Sequence, residues 1–363
     1  MAITITKNPH PLSAEKRAEQ LVEPGFGRYF TDHMVSGEWT AENGWGELAL
    51  VPYGPLSLDP ASMVLHYGQE IFEGLKAYRQ PDNSIALFRP EANAARFARS
   101  AARMALPELP AEMFLESIEA LVKADQEWVP TKDGESLYLR PMMIATEVGL
   151  GVRPSNKALY LLLASPAGAY FKGGVKAVTV WISTEYVRAA PGGTGEAKCG
   201  GNYAASLVAQ QEAAAKGCDQ VVWLDAVERS YVEEMGGMNL YFVMGKGKKA
   251  RILTPKLTGA LLPGITRDSL LTVAAELGYK VEEGSITVKE WRKGVESGEI
   301  TEVFACGTAA VITPVGHVKS AKYEWSHNKG ESGPITLELR EALLGLQHGL
   351  KPDPQGWMRK INV

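Results

Sequence analysis

The chain has 363 residues, 45% of them hydrophobic and 22% charged, with 38 lysines and arginines against 42 aspartates and glutamates, a formal net charge of −4. That length holds a large core, most simply in two domains, and the composition is ordinary for a globular protein. Without a basic block the chain is not built around nucleic acid, which needs clustered Lys and Arg, although one small phosphate needs only a local basic pocket. Cys199, Cys218 and Cys306 are odd in number and widely spaced, neither a disulfide framework nor a zinc pattern, and they fit a reducing compartment. The N-terminal MAITITKNPHPLSAEKRAEQ lacks the apolar stretch of a signal peptide, and no run approaches the roughly 18 apolar residues of a membrane span. The expectation is a cytoplasmic protein with no metal and no membrane or nucleic-acid partner.

Residues 1 to about 45 read as a loose lead-in with aromatic anchors at Phe26, Tyr29, Phe30 and Trp39. Strand-like runs follow at Trp45–Pro52, Met63–Tyr67 and Ser84–Phe88. A helix is predicted over Pro90–Ala105, ended by Pro107 and Pro110. A second, Ala111–Trp128, lines up Phe114, Ile118, Leu121 and Val122 on one face. Strands at Ser136–Ala145 and Ala158–Ala164 complete an α+β first half with a modest sheet. The small-residue segment SPAGAYFKGG (165–174) reads as a linker, giving domains at 1–165 and 176–363 with an interdomain loop at 166–175.

The second half opens with a strand at Lys176–Thr184, and further strands are predicted at Gln220–Leu224, Ser230–Met235, Asn239–Met244, Thr301–Ala305 and Val311–Val315. Helices are predicted at Tyr203–Lys216, Thr266–Leu277 and Thr336–Gly345. Short turns between strands point to a mixed or antiparallel sheet closing on itself. The fold class is therefore α/β (α+β): a small α+β domain and a larger domain with a barrel-like sheet.

Four segments carry chemistry. In PGGTGEAKCGGNY (191–203), five glycines surround Lys198 just before a helix, and glycine lets backbone approach a ligand closely. Alone, a solvated lysine on a flexible loop is the commoner meaning of such a segment. A P-loop is excluded in detail, since it needs Gly before the lysine and Ser or Thr after, where this chain has Ala197 and Cys199. In LLPGITRDSL (261–270), Gly264, Ile265 and Thr266 present amides at a helix start, an anion site or an ordinary N-cap. In FACGTAAVITPV (304–315), a strand breaks at Gly-Thr, where Thr308 offers a hydroxyl and an amide to a phosphate or carboxylate, or the break is an ordinary β-turn or bulge. In YVEEMGGMN (231–239), Glu233 and Glu234 lie on opposite faces of an apolar strand. A buried carboxylate needs a partner, and a pyridinium nitrogen is one. Alternation alone does not say which glutamate points inward.

In order and spacing these segments, with HYGQEIFEGLKAY (66–78), SLYLRPMMIATEVGLGV (136–152) and SPAGAYF (165–171), span nearly the whole chain. Together they resemble the branched-chain aminotransferases among the fold-type IV pyridoxal-phosphate enzymes. The resemblance implies pyridoxal 5′-phosphate as cofactor and a ping-pong exchange of the amino group between L-leucine, L-isoleucine or L-valine and 2-oxoglutarate. It implies that Lys198 carries the cofactor and shuttles the proton between Cα and C4′. Tyr203 would meet the phenolic oxygen, and Glu234 rather than Glu233 the pyridine nitrogen. Arg96, Arg188, Ile265, Thr266 and Thr308 would hold the phosphate, and Thr308 and Ala309 would face the substrate carboxylate. Phe72, Tyr138 and Tyr170 would wall the side-chain pocket, with Arg140 for glutamate's distal carboxylate. Tyr67, Leu150 and Val152 would reach in from a second subunit of a homodimer.

Two departures from the family pattern stand out. Ala310 and Thr313 replace a CxxC pair seen in some animal relatives, and Gly236-Gly237 replaces a Gly-Thr. Within the fold, the rivals are a D-amino-acid aminotransferase and an aminodeoxychorismate lyase. Outside it, the rival is a protein that binds a phosphate ligand without covalent chemistry.

Overall fold

The computed structural model describes residues 3–169 and 175–362. It divides into two units, Met1–Tyr170 with Ala197–Gly200 and Leu346–Val363, and Phe171–Glu196 with Gly201–Gly345.

In the first unit, period-two alternation sorts one strand onto two jobs. Along Ser136–Ala145, Leu137, Leu139 and Met143 are fully buried in the core, while Tyr138, Arg140 and Met142 point to the other face. This strand pairs antiparallel with Lys157–Ala167 over ten positions, in the middle of a ten-stranded sheet. On one side the sheet runs through His33–Thr40 and Ala49–Pro52, and on the other through Leu75–Arg79, Ile85–Phe88 and Met358–Ile361. Helices Pro90–Arg103 and Ala111–Ala124 cover the core face, with the Phe97 and Phe114 rings 5.5 Å apart.

The sheet is far larger than the modest one expected. The lead-in is not loose, since it supplies the helix Ala14–Val22 and the strand His33–Thr40. Met63–Tyr67, read as a strand, is a short helix between Ser62 and Gly68, whose φ of 57° ends it. Its apolar, aromatic run fits either state, and length did not arbitrate. The predicted linker begins as strand, because Ser165–Ala167 still pair with Ser136–Tyr138. Residues 170–174 lie outside the described residues.

The second unit is built on a ring of six strands. Val232–Met235, Gln220–Leu224, Val178–Ile182, Val311–Lys319, Ile300–Gly307 and Met238–Met244 pair in that order, and the last pairs back to the first. Val178–Ile182 is parallel to both its neighbours and the remaining pairings are antiparallel, so the closed sheet is mixed as predicted. Closure removes the exposed edges an open sheet would leave. Arg251–Pro255 and Lys280–Gly284 extend the sheet from Met238–Met244. The helix expected over Tyr203–Lys216 is two helices, Gly200–Ala204 and Leu207–Ala215. No helix among the described residues is long and apolar enough to cross a membrane.

Candidate active site

Lys198 is fixed by its backbone. Its amide donates to the Ser100 hydroxyl at 3.0 Å, and its carbonyl accepts the Phe72 amide at 2.9 Å. The Gly200 amide donates to the Glu70 carboxylate, an approach so close that a Cβ on residue 200 would strike it. The lysine's Nζ lies 4.9 Å from the centre of the Phe72 ring.

One stripe of the helix Pro90–Arg103 organises what lies beneath. Asn93, Arg96 and Ser100 follow i, i+3, i+7 spacing and so share a face. Ser100 holds the lysine backbone, while Asn93 Nδ2 and the Arg96 guanidinium converge on Glu73, at 2.7 Å for Asn93 and at 2.7 and 2.9 Å for Arg96. Glu73 is fully buried. Burial would raise its carboxyl, but the charge and hydrogen bonds of Arg96, with the charge of Lys198, hold it below the ordinary carboxylate value. Arg96, which the resemblance gives to a phosphate, is placed by the structure in a buried ion pair with Glu73.

Phe72, Tyr138 and Arg140 come together on a cavity of about 420 Å³. The Arg140 Nη2 donates to the Tyr138 hydroxyl at 2.9 Å, and the guanidinium carbon lies 4.8 Å from the Phe72 ring centre and 5.2 Å from that of Tyr138. Its buried Nε has no acceptor among the described residues. Phe26 meets Tyr138 edge-on, with ring centres 4.9 Å apart. Glu70, Met142 and Ser165, to which the sequence assigns no role, also line the cavity, as does Phe30, expected only as an aromatic anchor of the lead-in. Two signals were available: alternation carried outward from Tyr138 and Arg140 leads to Met142, and from Phe72 to Glu70. Tyr67, Leu150 and Val152 lie outside this cavity, exposed by 39, 67 and 83%, with the Tyr67 hydroxyl donating to the Leu150 carbonyl. Tyr170 lies outside the described residues.

In the second unit the two adjacent glutamates part company. Glu234 Oε2 pairs with Arg188 Nε at 2.9 Å, and Oε1 accepts from the Leu262 amide and from Asn239 Nδ2, each at 3.0 Å. Arg188, expected near a phosphate, places its Nη1 on the carbonyls of Ala260 and Gly195 at 2.9 and 3.3 Å. Both members of this pair are buried, so the hydrogen bonds must offset a large desolvation cost. Glu233 turns the other way, toward a separate cavity of about 300 Å³ beside Lys256 and Thr258.

Strand register gathers the remaining donors at the Glu234 end of the ring. Glu234 pairs with Asn239, Asn239 with Cys306, and Gly307 with Val311, which closes the turn carrying Thr308 and Ala309. Asn239 Nδ2 also bonds the Leu262 carbonyl at 3.1 Å, which brings in the turn before the helix Ile265–Glu276. No side chain caps that helix, and the amides of Ile265 and Thr266 have no acceptor among the described residues. Open amides at a helix start suit an anion. Tyr203 lies against Gly237, where a Cβ would come within 3.2 Å of its ring. Gly237, the departure from Gly-Thr, therefore belongs to a tight seat for this tyrosine. Cys199, Cys218 and Cys306 are all buried free thiols.

The family model described as amino-transferase class IV matches residues 70–318. The probable branched-chain-amino-acid aminotransferase of Streptomyces coelicolor is 62% identical over 360 residues, covering 99% of this chain and 98% of that protein. The branched-chain-amino-acid aminotransferase of Mycolicibacterium smegmatis is 62% identical over 363 residues, covering 100% and 99%. Among solved structures, the branched-chain amino acid aminotransferase of Escherichia coli matches with a TM-score of 0.72 at 30% identity, covering 90% of this chain and 99% of that one. The chain belongs to the class IV aminotransferases.

Proposed function

We infer that this class IV aminotransferase is a pyridoxal-phosphate-dependent branched-chain-amino-acid transaminase, which exchanges the amino group of L-leucine, L-isoleucine or L-valine with 2-oxoglutarate. The observation that carries the reading is local: the Lys198 amine faces Phe72, and Phe72 walls an apolar cavity holding one arginine. Aromatic walls receive an aliphatic side chain, and Arg140 with the Tyr138 hydroxyl satisfies the distal carboxylate of glutamate.

The residues fit the cofactor. The uncapped amides of Ile265 and Thr266 and the hydroxyl of Thr308 suit a phosphate, and the ordered carboxylate of Glu234 suits a ring N–H. When bound, pyridoxal phosphate supplies an electron sink for charge developing at the substrate Cα. In our reading Lys198 holds the cofactor and moves the proton at that carbon. Tyr203 meets the phenolic oxygen, Arg96 and Arg188 add positive charge toward the phosphate, and Ala309 and Thr308 receive the substrate's α-carboxylate. Tyr170 completes the side-chain pocket.

We further assign a homodimer, to which Tyr67, Leu150 and Val152 contribute. What supports it is their exposure together with Leu65 and Val148. The buried free thiols support a cytoplasmic setting.

A donor panel with 2-oxoglutarate tests the reading. The expected result is kcat/KM for the three branched-chain L-amino acids well above that for D-alanine. Lys198→Ala should abolish steady turnover, and borohydride should no longer fix the cofactor covalently to the chain. Ordinary turnover by that variant, or a preference for D-alanine, would overturn the reading.

A further inference from the structure

The strand Glu70–Phe72 puts Glu70 and Phe72 on one face and the fully buried Ile71 on the other. Phe72 pairs with Met142, and Met142 and Arg140 share the outward face of their own strand. Glu70 therefore looks into the same cavity of about 420 Å³ as Arg140. The rest of that cavity is mostly aromatic and aliphatic, and a carboxylate there needs a partner.

Two forces define this carboxylate. Burial raises it, while the Gly200 amide and the charge of Arg140 act in the opposite sense, and the net effect is a carboxyl above its ordinary value. The Gly200 bond also holds it back toward the lysine segment. Meanwhile Arg140 keeps an unused donor at Nε, and the buried Ser165 hydroxyl on the same cavity has no partner among the described residues.

We propose that Glu70 sets the balance between the two substrate classes: it is the counter-charge of Arg140 while an aliphatic chain fills the cavity, and it opposes the distal carboxylate of glutamate or 2-oxoglutarate when that enters. This rests on the transaminase reading above. A branched chain brings no charge into the pocket, and a guanidinium buried without an anion is costly. Glu70 supplies that anion from the wall, tethered by Gly200, without filling the apolar space. A dicarboxylate brings its own anion, so two carboxylates then compete for one arginine. The same side chain thus favours one substrate and disfavours the other, and it does so through binding.

Glu70→Gln tests this, because it keeps the size and an oxygen for the Gly200 amide while removing the charge. In the cofactor-loaded enzyme, kcat/KM should rise for 2-oxoglutarate and fall for the 2-oxo acid of leucine. The ratio should move about ten-fold, mostly in KM. Calorimetric Kd values should move the same way, tighter for glutarate and weaker for 4-methylvalerate. Glu70→Ala should show the same shift in ratio and, having also lost the Gly200 anchor, a lower kcat with both substrates. A Glu70→Gln ratio within about two-fold of wild type, or equal losses on both substrates, overturns the proposal. Either result leaves the transaminase reading standing. That reading would fail instead if the wild-type protein did not transaminate leucine with 2-oxoglutarate.

Discussion

On the strand Val232–Met235, neighbouring carboxylates meet opposite surroundings. Glu234 is ordered by Arg188, Asn239 and the Leu262 amide, whereas the contact of Glu233 with a side chain is a 3.5 Å approach to the Thr258 hydroxyl. Burial, then the negative charges of Glu234 and Asp225, push the Glu233 carboxyl up to about 7 from 4.5. Folding therefore favours its protonated form. That stabilisation is complete below pH 4.5 and is lost as the pH rises through about 7. Glu233→Gln keeps a neutral side chain at every pH, so its Tm should match wild type near pH 4.5 and exceed it at pH 8. A Tm difference that stays constant across this range would refute the assignment. The residue scale also marks how far sequence could reach. Lys198 stands out because glycines flank it, but period two cannot tell Glu233 from Glu234. The choice lies in contacts from Arg188 and Leu262, 46 residues before and 28 after Glu234. Ser100 and Asn93 were harder still, being ordinary helix residues until Lys198 and Glu73 are brought against them.

Apolar elements with a strong pattern were legible at the element scale. Ser136–Ala145 and Gln220–Leu224 have the predicted bounds, and the Pro90 helix ends within two residues of its predicted limit. Polar elements were not. Lys280–Gly284 carries two glutamates and is a strand only because Arg251–Pro255 pairs with it, a tertiary choice that outweighs propensity. The helix Val288–Ser297 was missed although its start is written in the sequence. Thr287 accepts the Glu290 amide at 3.1 Å, and the Glu290 carboxylate accepts the Thr287 amide at 2.8 Å. This reciprocal pair satisfies two donors the helix cannot satisfy itself, and the Thr287 amide and hydroxyl, both donating to the Glu290 carboxylate, hold that carboxyl below its ordinary value. The helix also buries Trp291 against Phe242, with ring centres 5.2 Å apart, so fraying at its start would loosen the core. Thr287→Ala should cost about 1 kcal/mol. A lower denaturant midpoint at unchanged m-value would show it, and an unchanged midpoint would mean that tertiary packing alone sets this helix.

For the whole molecule, the sequence suggested that a sheet closes on itself but not which strands meet. Closure is a pairing of Val232–Met235 with Met238–Met244 while the latter also pairs Ile300–Gly307, and no local pattern encodes that second partner. The surface poses the matching question one level up. Leu65, Tyr67, Val148, Leu150 and Val152 are all exposed, and backbone bonds lace their two segments together: Met63 to Glu147 and Gly149 to Ala61, each at 2.9 Å, with the Tyr67 hydroxyl on the Leu150 carbonyl. A loop held in place this firmly presents its apolar side chains as a fixed surface, and grouped exposed apolar side chains suit a partner. A second copy of this chain would bury the patch by self-complementary contact about a two-fold axis. A charge at the centre of such a contact would be buried without a counter-ion, so Leu150→Asp should weaken it strongly. Sedimentation should give about twice the chain mass for the wild type and the single-chain mass for the variant at the same concentration. The variant should keep its near-ultraviolet dichroism, since residue 150 already lies on the surface. If Tyr67, Leu150 and Val152 serve the pocket of the other copy, transamination should fall with the dimer and recover as concentration restores it. A wild-type protein that sediments as a single chain throughout would remove these three residues from the site.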